Sequence, residues 1–349
     1  MSIFYQQQQT NCMNQKLFSF LKYLLLLAVA FGLLAFAFRG VRVGKILHDM
    51  LQANIFWVLL SALFTILAFF SRAYRWNLLI ESAGYSPPLK KTFYALMVGY
   101  FANLAFPRLG EVTRCGSLSK AESIPFSPLL GTVIVERVID VISLVVCLVL
   151  TAILEYKRLG SFLNDNIIDP AIGKLRQLMV SPLLIVAAIV CILGLSFALF
   201  YFIKRSGQKG KESKIVQLFT SFMNGLRSIS TLKKPGLFIF HSVFIWFLYF
   251  LSTYVCLFAL PSTSQLGLNA ALFLLVAGGL GMSAPVQGGI GAYHLLVSQG
   301  LILYGLSQQD GLLFATLIHS LSLVLVVLFG VVSMLLLFSG NRRNTITKK

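Results

Sequence analysis

Arg108, Glu111 and Arg114 recur every third residue in FPRLGEVTR, and Glu136, Arg137 and Asp140 crowd into ERVID, inside an apolar run that opens at Leu129. Residues three and four apart share a side of a helix, so each triplet would present its charges together. Arginine forks suit bidentate contact with phosphate oxygens. The carboxylates would hold those arginines in the absence of substrate, bind an ammonium group or take a proton. At ~1.5 Å per residue, Asp140 sits roughly 16 Å into its run, near the middle of a ~30 Å hydrocarbon layer. A single ionised residue there costs about 2.5–3.5 kcal/mol on insertion scales. Three are tolerable only if they pair with each other, pair with the PRLGEVTR arginines, or line a wet cavity. A structural ion-pair knot would satisfy this condition, because buried pairs need not be functional. A polar intramembrane site for a charged substrate satisfies it too, and is favoured.

Three further groups could join that chemistry. Gly288, Gly289 and Gly291 in MSAPVQGGIGAYH permit a tight turn with exposed N–H groups, which suit phosphate oxygens, although such clusters also serve helix breaks and close packing. Arg72 and Arg75 in SRAYRW are equally compatible with interfacial anchoring and with headgroup binding. Cys115, directly after Arg114, is expected at a polar opening. The other cysteines (Cys12, Cys147, Cys191, Cys256) and the histidines (His48, His241, His294, His319) are scattered, with no CxxC. No metal, disulfide framework or cofactor is expected, and no GxxxxGK[ST] loop suggests ATP use.

The elements that must hold these residues are membrane helices. Of 349 residues, 57% are hydrophobic and 11% charged, where a soluble domain carries about 25% charged residues and apolar runs of about 20 mark membrane spans. The expected fold is an all-α polytopic membrane protein. A polar tail covers 1–16, a single transmembrane domain 17–340, and a basic cytoplasmic tail 341–349. Spans are expected at Leu17–Phe38, about Leu51–Phe70, Leu129–Leu154, Pro182–Ile203, Pro235–Leu260 and Leu312–Phe338. Thr92–Phe106, stopped by Pro107, is short enough to be re-entrant, and Leu268–Gly305 is broken in its middle.

That makes about six full spans plus two broken re-entrant hairpins, or seven or eight spans if the hairpins cross. Both halves, about 17–178 and 179–340, run span, span, broken hairpin, span from opposite sides, the pattern of an inverted repeat with a midplane site. The net charge of +18 is ascribed to topology and lipid contact, not nucleic acid. With both termini inside, inner segments hold 20 Lys/Arg and outer segments 7.

The runs RAYRWNLLIESAG, FPRLGEVTR, ERVID and APVQGGIGAYH, in that order, resemble the transmembrane flippase domain of the lysylphosphatidylglycerol synthase family over about residues 20–340. The resemblance implies a bacterial inner-membrane protein that moves, or helps to move, a lipid between leaflets. It places Arg72, Arg75, Arg108, Glu111, Arg114, Glu136, Arg137 and Asp140 at positions typical of the family. Gln287 and His294 depart from it, standing where Pro and an acidic residue are common. Bifunctional members carry a soluble aminoacyltransferase domain after this region. About ten residues follow the last span here, so aminoacylation is not expected.

The function expected is therefore non-enzymatic translocation of an anionic or zwitterionic phospholipid, or a polyprenyl-phosphate-type lipid. The headgroup would be held by the residues above together with Gly288, Gly289, Gly291 and His294. Two alternatives stand beside it. One is a non-transporting scaffold for a lipid-modifying enzyme partner, the other an intramembrane transferase. Neither the lipid nor the oligomeric state follows from the sequence.

Overall fold

The computed structural model describes residues 27–156, 158 and 232–346, and every regular element among them is helical. In chain order these are α1 (Leu27–Ala37), α2 (Val43–Leu51), α3 (Ile55–Ser82), α4 (Leu89–Ala105), α5 (Leu109–Glu122), α6 (Phe126–Leu154), α7 (Pro235–Leu257), α8 (Leu268–Ser283), α9 (Ala292–Ile302) and α10 (Gln308–Ile346). A single 3-10 turn, Gln287–Gly289, lies between α8 and α9. The chain divides into two compact units, Met1–Thr151 with Thr231–Lys349, and Ala152–Ser230. All contacts below belong to the first. The tail 1–16, the start of the first span, the span Pro182–Ile203, most of 204–234 and the boundary between the two halves lie outside the described residues.

Helix ends follow local chemistry. Asn54 starts α3 by accepting the Phe56 N–H at 3.1 Å, and Pro235 opens α7 at a position whose N–H would be unpaired anyway. Ser307 accepts the Asp310 N–H at 3.1 Å and returns a hydrogen bond to its carboxylate, so α10 begins earlier than hydropathy alone implies. It also runs on to Ile346, through part of the segment expected as a tail. Three described helices, Ile55–Ser82, Pro235–Leu257 and Gln308–Leu337, are long and apolar enough to cross a membrane.

The second span departs from expectation. It does not stop at Phe70: α3 continues through Arg72 and Arg75 to Ser82, burying both arginines. Between the first two spans lies α2, which buries Ile46 and exposes Val43, Leu47 and Leu51.

Helices α3 and α7 pack antiparallel. The Asn54 N–H at the start of α3 donates to Ala259 O just past α7 at 2.9 Å, and Lys234 before α7 meets Glu81 near the end of α3 at 3.3 Å. Between these ends runs a seam of small hydroxyl residues. Ser61 donates to Ser252 O, and Thr65 and Ser252 join through their hydroxyls, each at 2.9 Å. Small and hydroxylated residues of this kind let helices approach where lipid supplies no hydrophobic drive.

Helices α3 and α7 are each followed by a helical hairpin closed on glycine. In α4–α5, a methyl at Gly99 would lie 2.7 Å from Gly110 O and 2.9 Å from Arg114 Cβ, while the Gly110 N–H donates to Asn103 Oδ1 at 2.7 Å. In α8–α9, a methyl at Gly281 would lie 2.6 Å from Tyr293 Cα, and one at Gly278 would lie 2.8 Å from the Tyr293 ring. Hairpin α4–α5 packs on α3 and hairpin α8–α9 on α7. The end of α3 lies beside the start of α7, so the hairpins set out from opposite ends of the pair. Their tips come together at Gly288, where a methyl would lie 3.2 Å from Leu104 Cδ2. Helix, hairpin, helix thus occurs twice, inverted.

Candidate functional site

Arg72 and Arg75 stand one turn apart on α3, Glu136 and Asp140 one turn apart on α6, so two faces of opposite charge oppose each other. Arg72 Nη2 reaches Glu136 Oε1 and Asp140 Oδ2, both at 2.8 Å. Arg75 Nη2 reaches Glu136 Oε1 at 3.2 Å and Asp140 Oδ1 at 2.6 Å. From α5, Arg114 Nη1 approaches Glu136 Oε2 at 2.9 Å, close but out of hydrogen-bond alignment, and its guanidinium lies 4.7 Å over the Trp76 ring. Trp76 also docks on α6 by donating from Nε1 to Thr132 Oγ1 at 2.9 Å. Glu136, 0% exposed, is the hub of this knot and holds three arginines.

A second, outer pair lies beside it. Arg137 Nε is 2.7 Å from Glu111 Oε1 across α6 and α5, with the two side chains 40% and 34% exposed. A longer contact of 3.8 Å links Arg137 to Asp140.

Between the hairpin tips is a cavity of about 570 Å³. The first tip contributes Asn103, Arg108 and Glu111, the second Met282, Gly288 and Gly289. Arg72, Arg137 and Asp140 form a charged wall, and Trp246, Tyr249 and Tyr293 an aromatic one. Tyr249 accepts from Arg72 Nη1 at 3.4 Å, joining the two walls. Gly288 and Gly289 both take positive φ, at 55° and 76°, as the break between α8 and α9 requires.

Several expectations change in this light. Arg72 and Arg75 are not interfacial anchors, because two acids from α6 neutralise them inside the protein. Arg137 does not pair mainly within ERVID; it reaches across to Glu111. Arg114, expected to grip phosphate, is 1% exposed beneath Trp76 and does not line the cavity. Arg75 and Glu136 are likewise set behind the cavity wall. Gly291 (φ 83°) packs instead against α1, where a methyl would lie 2.6 Å from Ala30 O. His294 is buried between Phe38 and His319, away from the cavity. Cys115 is fully buried beside Leu118, not at an opening. Arg72, Arg108, Glu111, Arg137, Asp140, Gly288 and Gly289 are the sequence candidates that reach the cavity together.

Sequence reasoning missed the aromatic wall and His319, whose Nε2 lies 2.9 Å from Gly288 O and ties α10 to the broken turn. The spacing of Trp246, Tyr249 and Thr253 on α7 could have revealed that wall, since i, i+3, i+7 is one helix face.

The family model described as the lysylphosphatidylglycerol synthase TM region matches residues 23–330. The chain belongs to that family. A UPF0104 membrane protein of Methanocaldococcus jannaschii is 34% identical over 120 residues, 34% of this chain and 35% of that protein. The match thus spans about a third of that relative's length. Family membership agrees with a helical membrane protein, and the four runs that suggested it map onto α3, the first hairpin tip, α6 and the broken turn.

Proposed function

We propose that this protein moves an amphiphile with an anionic head between membrane leaflets, through the cavity bounded by the two hairpin tips. The observation that carries this is the cavity itself: about 570 Å³, lined by charged groups (Arg72, Arg108 and Arg137 with Glu111 and Asp140) and by aromatic and apolar ones. A charged head and an apolar tail need such a two-sided surface. Hairpins that set out from opposite ends of α3–α7 supply a natural pair of approaches, one from each leaflet. The family description names a region of a protein that makes a lipid, which supports lipid as the class of cargo.

The protein acts by binding and release, without bond-making. Its membrane is a bacterial cell membrane crossed several times, with both termini cytoplasmic. With Arg72, Arg75 and Arg114 counted in the knot and Arg108 in the cavity, the inner segments still hold 16 Lys/Arg against 7 outside.

Purified protein in liposomes, with fluorescent phosphate-headed lipid in both leaflets and a membrane-impermeant quencher outside, tests this directly. Wild type should bring inner-leaflet lipid within reach of the quencher. Arg108→Gln should slow that exchange about tenfold, equivalent to ~1.4 kcal/mol, at an unchanged melting temperature. Exchange no faster than in empty liposomes would overturn translocation. Retention of bound lipid in that case would point to a scaffold for a lipid-modifying partner.

A further inference from the structure

The charges around the cavity fall into two sets. The inner set has Arg72, Arg75 and Arg114 against Glu136 and Asp140, and its pairs are buried. The outer set has Arg108 and Arg137 against Glu111, and its members are partly open to the cavity. Each set carries one positive charge more than its acids; the inner excess lies at Arg114, behind the cavity wall but within a low-dielectric interior, so the site as a whole carries two. A ligand that neutralises it brings two negative charges at one end.

The outer set also shows how the ligand could be received. Arg108 makes no ion pair among the described residues, and its backbone takes a left-handed conformation (φ 64°) at the turn into α5. Non-glycine residues hold such conformations only where their surroundings enforce them, often at ligand clamps. Glu111, one turn on, places its carboxylate 2.7 Å from Arg137 Nε, yet that N–H is out of hydrogen-bond alignment. The carboxylate thus neutralises Arg137 without satisfying it. A phosphate offers more acceptor oxygens and more charge than a carboxylate, and can meet the guanidinium fork in its own plane.

Taking the cavity as the cargo site of the preceding section, we infer that it selects a lipid phosphate monoester, with Arg108 and Arg137 as the phosphate clamp and Glu111 as the carboxylate that the phosphate displaces. A monoester carries about −1.5 to −2 charges at pH 7, its second ionisation lying near pH 6. A phosphodiester carries one, and a zwitterionic head none net. The same chemistry exists on a diacylglycerol and on a polyprenol, and separate lipids in the test tell them apart.

Delipidated full-length protein in detergent is titrated with short-chain phosphatidic acid, a polyprenyl monophosphate, phosphatidylglycerol and phosphatidylethanolamine, with bound lipid counted by native mass spectrometry. At pH 7.5 one or both monoesters should bind about tenfold more tightly than phosphatidylglycerol, with phosphatidylethanolamine weakest. Preference for one monoester over the other identifies the carrier chain, and either result supports the inference. The advantage over phosphatidylglycerol should shrink below about pH 6, as the monoester loses its second charge.

Glu111→Gln should strengthen monoester binding several-fold, whereas Arg108→Gln and Arg137→Gln should weaken it. Equal binding of monoester and diester by wild type would overturn the inference without recourse to any variant. Weaker monoester binding by a Glu111→Gln protein with wild-type melting temperature would also overturn it. Selective binding without leaflet exchange would refute translocation and leave this assignment standing. Exchange without monoester preference would do the reverse.

Discussion

Glu136→Ala is expected to leave little folded protein, costing about 3–5 kcal/mol, because three buried guanidiniums lose their shared carboxylate in a low-dielectric setting. Arg72 and Arg75 would retain Asp140, but Arg114 would keep only the face of Trp76. Arg137→Ala should cost no more than about 1 kcal/mol, since its pair with Glu111 is partly exposed and screened. The contrast is informative because the two residues are neighbours in sequence and carry opposite parts of the same motif. Adding Arg75→Met to Glu136→Ala should raise the melting temperature above that of Glu136→Ala alone, by removing one stranded charge. Melting curves in detergent decide the matter. Equal losses for Glu136→Ala and Arg137→Ala would mean that the knot does not hold α3, α5 and α6 together.

Gly110→Leu should be nearly as damaging, about 3 kcal/mol, from overpacking at the first hairpin. Even a methyl there meets Gly99 O, and lies 2.6 Å from Asn103 Cγ, so α4 and α5 cannot keep their spacing. The loss reaches function as well as stability: the Gly110–Asn103 hydrogen bond lies at the tip that carries Arg108 into the cavity. Gly116, on the same helix, is the control. A methyl there meets nothing within 4 Å, so Gly116→Ala should be neutral or stabilising by up to about 1 kcal/mol through helix propensity. A Gly110→Leu protein that melts with wild type would contradict the close hairpin.

Much of the framework is legible in the sequence because its signals are local. Pro107 ending a short apolar run announces the first hairpin, and the Gly-rich break in Leu268–Gly305 announces the second. The composition of the runs fixes the helical membrane class. The knot is less legible, because Arg72 and Glu136 are 64 residues apart. Nothing within α3 tells a charge at a membrane surface from one met by an acid on another helix, so apolar length alone ends the span at Phe70 although α3 runs to Ser82. Arg114 and Arg108 look alike in PRLGEVTR, yet Trp76 packs over one while the other faces the cavity. The division between framework charge and available charge is a property of packing, and it separates the residues expected to touch cargo from those that hold the site open.

If cargo passes through the cavity, a lipid head occupies the space between the two hairpin tips, and photocrosslinking reads that occupancy. A short-chain phosphatidic acid with a diazirine close to its phosphate is bound to the purified protein and irradiated. Adducted peptides are then mapped by mass spectrometry, with unlabelled lipid as competitor. Adducts should appear at both tips, around Asn103–Glu111 and around Met282–Gly289, and should fall together on competition or with Arg108→Gln. Adducts confined to outward apolar positions such as Leu59, Val243 and Leu335, unaffected by competitor, would contradict the account.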